Sequence, residues 1–139
     1  MATSAQYVAT PKVGANFTNT AEANFTTSIK TPVSAVTVFT AGASGSRIDQ
    51  VNIAGLGITV ASMVRLYIHD GTNFRFLKDV AVTATSPSTT VTSFNSSLCT
   101  QYNPELFPIL LPTGYSLRAA LSTAQTTDGI MITALGGDF

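Results

Sequence analysis

A single histidine, His69, stands beside Asp70, and any serine-triad or imidazole–metal chemistry in this chain would have to pass through it. Proton transfer to a nucleophile needs an imidazole held in place by an orienting carboxylate. Asp70 cannot supply that orientation as the immediate neighbour of His69 in a tight turn, so His69 reads as an exposed turn-flanking residue. Asp49, Asp70, Asp79, Asp128 and Asp138 are scattered, and no Asp-x-Asp-x-Asp loop gathers them for calcium, which leaves only carboxylates converging in space. Cys99 is the only cysteine, so neither an intrachain disulfide nor a cysteine zinc site can form. It has no adjacent His, Lys or Arg to activate it. Gly42-Ala43-Ser44-Gly45-Ser46 lacks the following Lys and helix that a phosphate-binding loop requires. Tyr67, Phe74, Arg75 and Phe76 have the composition of a base-stacking platform. Seven basic residues cancel seven acidic ones, however, and leave no electrostatic footprint for nucleic acid. These residues predict a protein that is not an enzyme, with no catalytic, cofactor-binding or metal-ligating residue.

The elements that must position these residues are strands. Residues 64–77 alternate apolar and polar side chains on both sides of Asp70-Gly71, the strongest short-range hairpin signal. Val64, Leu66 and Ile68 share one face, and Arg65, Tyr67 and His69 share the other. A three-residue loop of His69, Asp70 and left-handed Gly71 would set Phe74 and Phe76 on the Val64/Leu66/Ile68 face. A two-residue turn would set Arg75 against the aliphatics, so the bulged loop is the expected one. Before the hairpin, residues 33–39 read as a strand with Val36 and Val38 on one side and Ala35, Thr37 and Phe39 on the other. Residues 47–54 follow, with Val51 and Ile53 inward and Gln50 and Asn52 outward. After it, residues 91–94 read as a short strand, and residues 95–105 as polar with a turn at Asn103-Pro104. Residues 106–111, held between prolines, read as an edge or irregular strand. Residues 115–121 and 130–135 are the last two strands, and no segment holds a capped helical period. Seven or eight short strands predict an all-β antiparallel sandwich over residues 31–139, with a jelly roll as the specific form. Residues 1–30 are polar and weakly periodic, either an extended N-terminal arm or an irregular first strand.

Charged residues make up only 10% of the chain, far below the usual ~25%. Thr, Ser and Asn fill the polar positions. Two explanations stay open: a surface that is largely interface, where charges are depleted, or exposed strands that use Thr as a good strand former. Neutral surfaces also repel one another weakly. No run approaches the ~18 apolar residues of a membrane span. The first residues lack the basic start and apolar run of a secretory leader. The expectation is synthesis in the cytoplasm and no membrane partner. The three Asn-x-Ser/Thr sites at Asn16, Asn24 and Asn95 then count as chance matches.

Several stretches resemble a family of small structural virion proteins of tailed bacteriophages. They are Ala9-Thr10-Pro11-Lys12, Val38-Phe39-Thr40-Ala41-Gly42 running to Gly45-Ser46-Arg47-Ile48-Asp49, and residues 64–73. Further on come Val82-Thr83-Ala84, Ser86-Pro87-Ser88, Gly114-Tyr115-Ser116-Leu117-Arg118-Ala119, and the terminal Ala134-Leu135-Gly136-Gly137-Asp138-Phe139. Residues 13–32 and 94–108 match least. The resemblance implies a β-sandwich that decorates or cements the capsid, with the major capsid protein and copies of itself as partners, a trimer favoured. It implies a place on the capsid surface of the virion and brings no catalytic residue, no cofactor and no nucleic acid. On that reading the arm adds to a neighbour's sheet edge, and residues 41–46 and the Gly-Gly-Asp-Phe end lie flexibly against a partner. A tail, neck or baseplate protein is the second reading, since one sandwich serves all these places. The third is a carbohydrate-binding module using Tyr67, Tyr102 and Tyr115, although the chain has no Trp for sugar stacking.

Overall fold

The computed structural model describes residues 8–125 and 128–139, and over these the chain forms two packed antiparallel sheets and no helix. The strands are β1 (Thr10–Thr18), β2 (Val36–Thr40), β3 (Ser46–Gly55), β4 (Ser62–His69) and β5 (Phe74–Val82), then β6 (Asn95–Cys99), β7 (Ile109–Leu111), β8 (Ser116–Leu121) and β9 (Ile130–Asp138). One sheet has the order β1-β9-β3-β6 with the short β7 also on β3; the other has the order β2-β8-β4-β5. With β7 set aside, the pairs β4:β5, β3:β6, β2:β8 and β1:β9 are nested one inside the next. That is the order of a two-stranded ribbon, closed at the β4–β5 turn and wrapped so that its segments alternate between sheets.

Period-two alternation builds the core from both inner faces. Ile48, Val51, Ile53, Ile130, Ile132 and Leu98 come from one sheet, and Val64, Leu66, Leu117, Ala119, Leu121 and Phe39 from the other, all buried. Each larger side chain gains about 1.5–3 kcal/mol by leaving water. The sandwich expected from strand spacing is therefore the fold, and the inward set read from residues 47–54 is the observed one.

Register corrects several local expectations. The hairpin loop is the four residues 70–73: His69 pairs with Phe74, Ile68 with Arg75 and Tyr67 with Phe76. Gly71 does have a positive φ, +96°, as the first central residue of the loop, where glycine carries no steric cost. The Asp70 carboxylate accepts the Thr72 and Asn73 N–H groups, an Asx turn that fixes the longer loop. Phe74 and Phe76 consequently lie on the Tyr67/His69 face, opposite to expectation. Arg75 can face Ile68 because the pair sits at the end of the strands, where the arginine side chain stays 66% exposed and reaches Asp70. A bulge beside Leu66 then turns Leu77 back toward the core.

A second bulge, between Thr37 and Phe39, buries Val38 and Phe39 together where alternation would separate them. Asn95–Cys99 is a strand although only Leu98 in it is a buried apolar residue, and the strand expected at residues 91–94 does not form. The end of the chain is not a loose tail. Gly136, Gly137 and Asp138 belong to β9, Asp138 accepts the Ser46 hydroxyl at 2.5 Å, and the Phe139 N–H donates to the Gly45 carbonyl. The same contacts pin residues 41–46, where the Gly42 N–H donates to Ser46 Oγ.

Residues 10–18, inside the segment read as an arm or irregular first strand, form a regular edge strand paired along its whole length with β9. Residues 1–7 lie outside the described residues. On the inner side of β1, Gly14 sits so close to the Val38 carbonyl that any side chain would overlap it. Asn16 Nδ2 donates to the Thr37 carbonyl at 3.0 Å, and Lys12 Nζ to the Thr40 carbonyl at 2.5 Å. The edge carbonyls of β2 are thus occupied by side chains of β1.

Candidate assembly surface

The outer face of the five-stranded sheet is read off its register. Four rows cross it: Pro11–Gly137–Arg47–Leu110, Val13–Leu135–Gln50–Cys99, Ala15–Thr133–Asn52–Ser97 and Phe17–Met131–Ala54–Asn95. Alternation forces this set outward, because the residues between them on β3 and β9 fill the core. Val13 is 65% exposed and Phe17 53%. Arg47 is the only charged residue in the four rows, and Asp49, at the neighbouring bulge, holds its Nε at 2.6 Å. Two of the central polar groups share one acceptor: Asn52 Oδ1 accepts from Gln50 Nε2 at 2.9 Å and from Ser97 Oγ at 2.7 Å. Among the described residues the result is a sheet face without net charge, with Val13 and Phe17 exposed along the β1 edge and Val8 resting over Gly137.

The outer face of the four-stranded sheet is built in another way. Residues 19–35 cross it as a strap, anchored by the Glu22 N–H on the Leu121 carbonyl and the Gln125 N–H on the Asn19 carbonyl. Phe25 is buried against Arg65, whose guanidinium lies 3.8 Å from the ring centroid, with Phe76 5.4 Å away. Arg65 Nε and Nη2 donate to the two oxygens of Asp79 at 2.8 and 2.9 Å, and Nη1 donates to the Phe25 carbonyl. This bidentate pair raises the arginine above its ordinary pKa and keeps it charged despite burial. Glu22 closes the far end of the strap. Burial pushes its carboxyl up, but the N–H groups of Val33, Ser34 and Asn24 and the Ser34 hydroxyl outweigh that and hold it below the usual value. Beneath the strap Tyr67 is 1% exposed, and burial raises its pKa.

The residues singled out for chemistry are not brought together. His69 lies tilted against Phe74, ring centroids 4.5 Å apart, and its Nδ1 accepts the Gly71 N–H, so it is half-buried turn structure rather than a fully exposed side chain. Asp49, Asp70, Asp79 and Asp138 each pair with a different cation, Arg47, Arg75, Arg65 and Lys12. Asp138 is held below the usual carboxylate range by the Ser46 hydroxyl first and Lys12 second. Asp128 is exposed. Among the described residues no group of three or more His, Cys, Asp or Glu is close enough to share a metal ion, and no helix is long and apolar enough to cross a membrane. Cys99 lies on the neutral sheet face beside Gln50.

The three tyrosines considered for sugar contact also part company. Tyr67 is buried, Tyr115 packs on the core, and Tyr102 is 69% exposed. A shallow cleft of about 590 Å³ does open beside the hairpin, lined by Lys30, Thr31, Asn73, Phe74, Arg75 and Phe76. Sequence reasoning missed Glu22 and Arg65, because their partners stand 11 to 40 residues away. It also missed the outward row of β1, whose residues 11, 13, 15 and 17 do alternate but include Pro and Ala.

Compared with known proteins, the chain matches no family model, no curated protein and no solved structure.

Proposed function

We propose that this chain is a structural virion protein of a tailed bacteriophage, a decoration or cement protein that binds the major capsid lattice from outside. The observation that carries the reading is the outer face of the five-stranded sheet, whose four rows hold a single charged residue, Arg47, and that one is paired with Asp49. Surfaces of that kind suit permanent contact with other protein, because charges are depleted at interface centres. The nested strand pairing supports the jelly-roll form of the sandwich, an architecture that capsid and lectin domains share. Fold alone does not carry function, so the face and the sequence resemblance bear the weight. Assembly with copies of itself, a trimer favoured, and synthesis in the host cytoplasm belong to the same proposal.

The test is a copy count. Quantitative mass spectrometry on particles purified from the phage or prophage encoding the chain should find it at a level comparable with the major capsid protein. A few copies or a dozen per particle would move it to the tail, neck or baseplate. Absence from particles would end the virion reading.

One observation favours a second reading, a carbohydrate-binding module. The cleft beside the hairpin presents Phe74 and Phe76 next to the hydrogen-bonding groups of Lys30, Thr31, Asn73 and Arg75, the mixture a sugar ring needs. A glycan array without binding would remove it.

A further inference from the structure

We infer that the Asp128–Gly129 bond is where this chain isomerises spontaneously to isoaspartate, while the fold locks its other Asp-Gly bond, Asp70–Gly71, against the same reaction. These are the two Asp-Gly dipeptides of the sequence, which has no Asn-Gly. Glycine has no Cβ, so it leaves its backbone nitrogen open to the side chain before it. That nitrogen can bond to the aspartate Cγ. The carboxylic acid gives up its hydroxyl and the amide its proton, together as water, and a cyclic imide results. Water then opens the imide at one of two carbonyls. Attack at Cγ restores aspartate. Attack at the main-chain carbonyl breaks the old peptide C–N bond and leaves the chain running through the side chain. The net composition is unchanged, and no oxidant or cofactor takes part.

Ring closure needs a carboxyl that can take up a proton and an N–H that is not already committed. Asp70–Gly71 offers neither. Asp70 Oδ1 accepts the Asn73 and Thr72 N–H groups at 2.7 and 3.0 Å, and Oδ2 accepts from Arg75 Nη2 at 3.1 Å. The Asn73 and Thr72 N–H groups above all hold this carboxyl down at about 2. Its acid form is then roughly tens of times rarer than that of an unperturbed aspartate. The Gly71 N–H, the attacking group, donates to His69 Nδ1 at 3.2 Å. Asp128 stands in contrast. Asp49, Asp79 and Asp138 also accept side-chain hydrogen bonds and pair with cations. Among the described residues no such bond ends on Asp128, which is exposed. Burial of Gly129 does not protect it, because the two reacting groups belong to adjacent residues and water reaches the ring at Asp128. The product inserts a backbone carbon just ahead of β9, beside a glycine whose carbonyl accepts the Leu56 N–H at 3.0 Å.

The test incubates the full chain at about pH 6, where the Asp70 carboxylate keeps its hydrogen bonds. Proteolysis and electron-transfer fragmentation then distinguish isoaspartate from aspartate at each position. In the folded chain isoaspartate should build up at 128 at least about tenfold faster than at 70, and in guanidinium chloride the two rates should come within about threefold. Equal rates at the two positions in the folded chain overturn the inference. A folded chain that isomerises at neither position, while the unfolded chain does so at both, overturns it as well. A ratio that stays the same on unfolding would also overturn it, since the fold would then have no part in the choice.

Discussion

The two sheets of this sandwich treat their outer faces in opposite ways. The four-stranded sheet places an arginine in the middle of its face and covers it: residues 19–35 bring Phe25 over Arg65 and Glu22 onto backbone N–H groups. The five-stranded sheet places small, apolar and amide side chains on its face around the Arg47–Asp49 pair, and among the described residues no strap crosses it. A buried charge demands that every hydrogen-bonding site be filled, which fixes one geometry. A neutral face makes no such demand and is free to meet another surface. One face is thus committed to the stability of the fold, and the other is the surface on which the proposed assembly would draw.

The sharpest way to break this contrast is Arg65→Met. It leaves Asp79 and the Phe25 carbonyl without their donor, and should lower stability by about 3 kcal/mol. For a chain of this length that is a fall of about 10 °C in Tm by calorimetry. Replacing Asp79 by Leu in the same protein should recover much of the loss, because an apolar pair of similar volume needs no partner. Glu22→Gln comes next, at about 2 kcal/mol, since an amide cannot accept from all the donors now on the carboxylate. Limited proteolysis should then cut within residues 26–31 before the sheets open. On the bare face, Phe17→Ser should change stability by less than about 0.5 kcal/mol. A larger loss in calorimetry would mean that this face already serves the isolated fold.

Acid gives the smallest and most local effect. The N–H groups of Asn73 and Thr72, joined by Arg75, hold the Asp70 carboxyl down at about 2. A carboxyl lower in the folded than in the unfolded chain adds stability above its unfolded pKa, and that stability fades as pH falls through the folded value. The hairpin loop should therefore loosen between about pH 4 and about pH 2, seen as loss of the Thr72 and Asn73 amide protection by NMR. Asp70→Asn should remove that pH dependence. Glu22 has the same sign, so acid should release the strap as pH falls below the ordinary glutamate range.

Much of the scaffold was legible because period-two alternation is a local property. Val51 and Ile53 inward, Gln50 and Asn52 outward, Leu117 and Ala119 opposite Arg118, and a glycine-built turn at Gly71 all follow from neighbours in the chain. The errors fall where the chain slips by one residue. Bulges at Val38 and beside Leu66, and an Asx turn that lengthens the hairpin loop, moved Phe39, Phe74 and Phe76 to faces that strict alternation denies them. Asn95–Cys99 was illegible as a strand because its pairing with β3, rather than its own side chains, makes it one. The candidate surface was foreshadowed only as a shortage of charge. Which residues form it depends on β1, β9 and β3 lying side by side, although residues 19–129 lie between β1 and β9 in the sequence.

The sequence by itself determined a neutral chain of short alternating strands, one cysteine, one histidine and a hairpin at Asp70-Gly71, because composition and nearest-neighbour periodicity need no folding to be read. Only the tertiary structure decided that Arg65 would be buried under Phe25 while Val13 and Phe17 stayed bare. Alternation assigns a residue to a side of its strand, but whether that side meets core, strap or open surface is settled by strands and loops that arrive from far along the chain.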